Sequence, residues 1–333
     1  MRIVAHRIFL AFALASALAA SLPATGAERK EAFHFTGWSL DRVTLPADEG
    51  PPLSYYLSRP KAKAPLVLFI QGSGCTPPFS GLGTDQRSSA IFNWVPLAAS
   101  GRYAVMAVDK PHQPAQQDGE AGSAAGCGDA FNRYFSYDTW LATLRRALRH
   151  ALVQPQVDAG RVLVIGMSEG GALAAGLARA VPEVGAVALS GASGTTQLYD
   201  FVARIHGGSG SDADKARELA VLDATVADIL ADPASGSKFA WGHPYRRWSS
   251  FFAQSAGDNL LQARARVYIV SGMQDRSTPI LSTEVMVAQL RGQGRDVTVK
   301  RVPTADHDLV PASGGLPEVQ GEHDAIMRWF ERR

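Results

Sequence analysis

Gly166-Met167-Ser168-Glu169-Gly170 is a Gly-x-Ser-x-Gly run whose central hydroxyl could act as a nucleophile. A serine hydroxyl is weakly nucleophilic alone. It needs a histidine to take its proton and an acid to hold that histidine in the right tautomer. Of the eight histidines, His307 in Ala305-Asp306-His307-Asp308 directly follows a β-branched run and is the best-placed base. His112, after another strand end, is its rival, and His150 stands among Arg145, Arg146 and Arg149, a solvated setting. Asp275 in Gly272-Met273-Gln274-Asp275 follows a third apolar run, whereas Asp306 and Asp308 lie too near His307 in sequence to face its far nitrogen easily. The order Ser168, Asp275, His307 is the order a nucleophile elbow predicts. The plain alternatives are an incidental serine in a strand-to-helix turn, an N-cap aspartate and a surface-loop histidine.

The elements that must position these residues are legible around them. Val162–Ile165 predicts a buried strand and Gly171–Ala180 a small-residue helix, the context that the serine turn requires. Further strands are predicted at Trp38–Pro46, Leu53–Ser58, Leu66–Ile70, Tyr103–Val108, Val184–Leu189, Val267–Val270 and Val297–Val302. Helices are predicted at Arg87–Ser100, Phe131–Gln154, Ser282–Gly292 and Glu318–Glu331. Strands that alternate with helices and are apolar on both faces imply a mostly parallel sheet covered on both sides. Ser168, Asp275 and His307, each just past a separate strand, would then share one sheet edge.

The alternation lapses between Gly191 and Ala263, about 70 residues, too long for a bare loop. The interval 195–262 is predicted to be a mostly helical cap inserted into a core of 28–194 and 263–333. Its aromatic cluster includes Trp241, Tyr245 and Trp248. Those rings suit either an apolar substrate pocket or the packing of the cap onto the core, and the sequence leaves both open.

An acyl transfer also needs an oxyanion hole, one N–H from the residue after the nucleophile and one from the loop after an earlier strand. Glu169 supplies the first, and Ser73 or Gly74 in Gln71-Gly72-Ser73-Gly74-Cys75 is the candidate for the second.

Composition bounds the setting. The chain of 333 residues is 46% hydrophobic, enough for one large α/β domain with an insertion. Arg2 and Arg7, the apolar Ile8–Ala20 and the small residues Ala24–Ala27 form a cleavable secretory signal over residues 1–27. This predicts a periplasmic or secreted protein with no stable membrane insertion after cleavage. Of 33 basic and 31 acidic residues, only Arg2 and Arg7 fall within 1–27, so the mature chain carries 31 of each and nothing marks a nucleic-acid partner. Cys75 and Cys127 are the two cysteines. In an oxidising compartment they invite a disulfide, which would pin the Gly72–Gly74 loop; two separate thiols are the alternative. Their spacing matches no zinc site, and the predicted chemistry needs no metal or organic cofactor.

Gln71-Gly-Ser-Gly, Gly-Met-Ser-Glu-Gly, Gly-Met-Gln-Asp and Ala-Asp-His-Asp, in that order, resemble the motifs of α/β-hydrolase-fold enzymes from about Val43 to Arg332. Within that fold the chain is similar to the dienelactone hydrolase and prolyl-oligopeptidase-like esterase branch. The resemblance implies an eight-stranded, mostly parallel sheet with helices on both faces and a serine hydrolase triad. The chain departs from it in two places. Ser168 stands where dienelactone hydrolases usually carry cysteine, and Gln71 where the oxyanion loop often begins with histidine. The reading is a serine hydrolase for small carboxylic esters. Its alternatives are a peptidase, amidase or thioesterase with the same triad, and an inactive hydrolase-fold binding protein.

Overall fold

A computed structural model describes residues 27–35, 38–47, 50–81, 88–89, 91, 94–115 and 122–332. The secretory signal predicted over residues 1–27 therefore lies outside the described residues, apart from Ala27. In chain order the elements begin with β1 (Arg29–Phe35), β2 (Trp38–Leu45), β3 (Leu53–Ser58), β4 (Ala64–Ile70), the two-residue strands β5 (Phe79–Ser80) and β6 (Ser88–Ser89), α1 (Val95–Ser100) and β7 (Ala104–Val108). Next come α2 (Asp129–Tyr134), α3 (Tyr137–Leu152), β8 (Val157–Met167), α4 (Glu169–Ala180) and β9 (Val184–Ser190). The interval after β9 holds α5 (Gln197–Gly207), α6 (Asp212–Ala231), β10 (Phe239–Ala240), β11 (His243–Pro244), α7 (Tyr245–Phe252) and α8 (Ala256–Gln262). The chain closes with β12 (Arg266–Gly272), α9 (Ile280–Gly292), β13 (Val297–Val302) and α10 (Leu316–Glu331).

The main sheet has nine strands in the order β1-β2-β3-β7-β4-β8-β9-β12-β13, one more than the family pattern implies. From β7 to β13 every neighbour is parallel, whereas β1, β2 and β3 join by antiparallel pairings. The additional strand is β1. Its Arg29-Lys30-Glu31 start is exposed and polar, so no apolar run marks it in the sequence. An antiparallel edge can leave one face in water, unlike the parallel strands beyond it.

Alternation along the strands divides the apolar side chains between two layers. Leu66, Leu68 and Ile70 of β4, with Val162 and Val164 of β8, pack under residues of α3, α4, α8 and α9 such as Trp140, Leu173, Leu260 and Met286. Val67 and Phe69 of β4, with Leu163 and Ile165 of β8, face Trp94, Ile326 and Trp329 at or on α1 and α10. Burying each such side chain stabilises the fold by about 1.5–3 kcal/mol.

Two predicted helices differ in extent. The helix predicted over Phe131–Gln154 is split into α2 and α3 by extended backbone at Phe135 and Ser136. Ser136 caps α3, and Thr139 returns the bond in a capping box, so local hydrogen bonding overrides the continuous apolar periodicity. The helix predicted over Arg87–Ser100 is confined among the described residues to α1, because Ser88–Ser89 pair with Phe79–Ser80 instead.

In the interval between β9 and β12, Ile229, Trp248 and Phe252 form an apolar cluster separate from the main core. Phe251, Ala256 and Leu260 join the main core, and α8 packs on α4. Among the described residues no helix is long and apolar enough to cross a membrane.

Cys75 and Cys127 form a disulfide. It closes a loop 52 residues long in sequence, for which chain entropy gives about 4 kcal/mol of stabilisation. Urea unfolding of the double variant Cys75→Ser/Cys127→Ser should lose on the order of that amount. Coincident unfolding curves for variant and parent would refute this.

Candidate active site

Ser168 sits between β8 and α4 with φ 53° and ψ −124°, a backbone conformation that a residue with a Cβ rarely adopts. The turn is held by close approach. A Cβ on Gly166 would meet the Gly170 carbonyl, and one on Gly170 would meet the carbonyls of Ile70 and Gln71. The two glycines therefore let the end of β8 and the start of α4 press against each other and against β4. The Ser168 N–H donates to Ser190 O at 3.1 Å, which anchors the turn to the end of β9.

The structure brings together the three residues that the sequence singles out. His307 Nε2 lies 3.0 Å from Ser168 Oγ, and His307 Nδ1 lies 2.8 Å from Asp275 Oδ2. Both distances are hydrogen-bonding contacts, and they run in series from hydroxyl to imidazole to carboxylate. Asp275 follows β12 and His307 follows β13, so parallel pairing of these strands sets both loops at the edge where β8 ends.

Asp275 is buried and fully engaged. Its Oδ1 accepts from the N–H groups of Ser277 and Thr278, each at 2.8 Å, and its Oδ2 also accepts from Thr278 Oγ1 at 2.7 Å. Burial opposes its charge, but His307 and these Thr278 bonds outweigh it and hold the carboxyl below the usual aspartate range. Burial likewise opposes protonation of His307, yet the bond and charge of Asp275, with Asp308 and Asp306, raise its pKa above the ordinary value. An imidazole with these neighbours can accept the serine proton at Nε2 while Nδ1–H stays on Asp275.

Glu169 is the first residue of α4, and N–H groups of a first helical turn have no intrahelical partner. Ser73 lines the same cavity as Ser168. Gly74 has φ 78°, and a Cβ there would meet Ser123 O at 2.8 Å, so the loop lies tightly on the segment that the disulfide holds.

Sequence reasoning did not find the buried charges beside this turn. The Glu169 carboxylate receives the Nε of Arg247 at 2.9 Å and also its Nη2, while Lys110 Nζ stands 3.7 Å from its other oxygen. All three side chains are almost wholly buried. Burial is the largest influence on Glu169, but the two cations overcome it and keep the carboxylate ionised. Burial lowers Lys110 to about 8, and it lowers the neighbouring His243 to about 3, leaving that ring neutral. Lys110 had one available signal, its place just past the end of β7 at the same sheet edge. Arg247 had none, since only the path of the interval brings α7 over Glu169.

A cavity of about 300 Å³ opens above Ser168. Trp241 and Trp248 line it, with Phe201, Gln197, Asp200 and Arg204. Trp241 has φ 46° and is 39% exposed. Tyr245 is placed elsewhere. It packs against the Ile229, Trp248 and Phe252 cluster and is not among the lining residues. Burial raises Asp200 to about 6. No group of three or more His, Cys, Asp or Glu among the described residues is placed to hold a metal ion.

The sequence pattern described as the alpha/beta hydrolase family matches residues 67–314. No curated protein matches the chain in sequence. Solved structures with the same fold include acetyl xylan esterase 1 from Thermoanaerobacterium sp., at 15% identity and TM-score 0.57 over 91% of this chain and 86% of that one. A putative dienelactone hydrolase from Klebsiella pneumoniae superposes at 15% identity and TM-score 0.55, over 92% of this chain and 100% of the other. Dipeptidyl peptidase 4 from Porphyromonas gingivalis aligns at 15% identity and TM-score 0.57 over 88% of this chain, which spans only 35% of that protein's length.

If the series is catalytic and Asp275 sustains the proton on His307, kcat/KM for a hydrolysable substrate should rise with pH along a limb above the ordinary histidine value of 6.5. The rise reflects loss of the Nε2 proton that blocks the base. Asp275→Asn should move the limb to lower pH and cut kcat by roughly 10⁴-fold. A limb at the same pH in both proteins would exclude this coupling.

Proposed function

The chain belongs to the alpha/beta hydrolase family, and from that premise we propose that it is a carboxylic ester hydrolase with Ser168 as nucleophile, His307 as base and Asp275 as orienting acid. The observation that carries the proposal is the unbroken contact series Ser168 Oγ to His307 Nε2 at 3.0 Å and His307 Nδ1 to Asp275 Oδ2 at 2.8 Å, opening into a cavity. In the proposed reaction His307 takes the hydroxyl proton as Ser168 attacks the ester carbonyl. The tetrahedral oxyanion is received by the amides of Glu169 and of the Ser73–Gly74 segment. His307 then protonates the leaving alkoxide, and in the second half it activates the water that releases the acid.

A cavity of about 300 Å³ suits a small ester, in which a short acyl or alkoxy group occupies the space beside Trp241 and Trp248. Under this reading residues 195–262 are the cap. Its covering part is α5–α7, since α8 packs back on α4. The disulfide supports an oxidising compartment, in line with a periplasmic or secreted protein whose signal is cleaved near Ala27.

Turnover of p-nitrophenyl esters and of matched anilides tests the proposal. Ester hydrolysis should dominate, and Ser168→Ala should lower kcat by on the order of 10⁴–10⁶. Faster anilide than ester turnover would make the protein an amidase. Absence of fluorophosphonate labelling at Ser168 in the folded wild-type protein would point instead to a binding protein built on this fold.

A further inference from the structure

One buried cation holds the carbonyl groups of the loop after β4. Lys110 Nζ donates to Gly72 O and to Gly74 O, each at 2.7 Å, and its side chain is inaccessible to solvent. An ammonium has three N–H donors. Two go to this loop, and Glu169 Oε1 lies 3.7 Å away. The rings of Phe135, 4.8 Å from Nζ, and Trp140, 6.0 Å away, complete its surroundings and favour the charged form.

These bonds set the direction of the loop's amides. A trans peptide is planar, and its C=O and N–H point to opposite sides. With the Gly72 carbonyl turned to Lys110, the Ser73 N–H of the same plane is turned away from it. Lys110 is sealed within the protein, whereas Ser73 and Ser168 line the cavity together. Gly72 borders the nucleophile closely enough that a Cβ on it would lie 3.2 Å from Ser168 Cβ and 3.7 Å from Oγ.

The loop has no steric means of enforcing that direction by itself. Glycines flank Ser73 on both sides, so the Gly72–Ser73 peptide can flip at little steric cost. A flipped peptide would present a carbonyl oxygen, which repels a developing oxyanion. We infer that Lys110 is the positioning residue of the oxyanion hole: by binding the Gly72 and Gly74 carbonyls it aims the Ser73 amide at the acyl oxygen on Ser168. The inference rests on the proposed hydrolase reading and selects Ser73 over Gly74 as the second donor, because the Gly74 N–H belongs to the peptide plane that Lys110 does not touch. Glu169 then serves the hole twice, through its amide and through the carboxylate that accompanies Lys110.

The test uses the full chain with Lys110→Met and Lys110→Gln. Active sites are counted by end-point fluorophosphonate labelling, and folding is checked by thermal unfolding. Per labelled site, Lys110→Met should lower kcat for p-nitrophenyl acetate by roughly 100-fold, the effect of losing one oxyanion donor, with KM nearly unchanged. The Ki of a trifluoromethyl ketone, whose adduct carries the same oxyanion, should rise by a similar factor. Lys110→Gln retains an N–H donor and should fall between Lys110→Met and the parent in both quantities. If Lys110→Met does not fold, the parallel change of kcat and Ki is read on Lys110→Gln. Unchanged kcat, a loss confined to KM, or a fall in kcat without a change in Ki would overturn the inference while leaving the hydrolase reading intact. A folded wild-type protein that neither labels nor turns over ester would defeat both.

Discussion

A carboxylate with almost no access to water, Glu169, ties the site together. Removing such a charge from solvent costs several kcal/mol, and loss of one partner leaves a penalty of about 3–5 kcal/mol. Here Lys110 and Arg247 supply the compensation, one at each carboxylate oxygen. Lys110 comes from the segment after β7 and also grips the loop after β4. Arg247 comes from α7 and lies over the rings of Trp248 and Phe251. Three stretches far apart in sequence thus converge on the residue next to Ser168. Loss of either cation would leave Glu169 with a single charged partner in a site closed to water.

The second constraint is steric. The conformation of Ser168 lies outside the wells that ordinary residues occupy, and such strain persists only where the surroundings impose it. Gly166 and Gly170 permit the contact, and the bond from Ser168 N–H to Ser190 O holds it. The strands behind the turn are buried on both faces, so the fold supplies a rigid edge from which loops can be aimed. Asp275 and His307 inherit that rigidity from β12 and β13 through the parallel register of the sheet.

The interval between β9 and β12 plays a different part. Its own apolar cluster is small, and it is joined to the core through Phe251, α8 and the Arg247–Glu169 pair. The interval therefore shapes the cavity and also contributes a charge to the floor beneath it. Trp241, with its positive φ and exposed side chain, stands at the cavity.

Local pattern was enough to locate Ser168, Asp275 and His307, because strand ends, glycine spacing and chain order are properties of short segments. It also found the parallel strands, most of whose apolar runs are continuous, and it paired Cys75 with Cys127 from their number and the predicted secretory signal. The strand β1 escaped because its polar start carries no period, and the break between α2 and α3 escaped because a capping box competes with an unbroken apolar stripe. Tyr245 and Trp248 looked equivalent in sequence, and only the packing put Trp248 at the cavity and left Tyr245 off it. Lys110 and Arg247 look in sequence like two of 33 basic residues. Their roles arise from burial, which depends on which segments the fold brings over them. The chain by itself singled out the three residues that the structure brings into contact, and the tertiary structure decided which charges surround them, since the energy of a charge depends on its full three-dimensional environment.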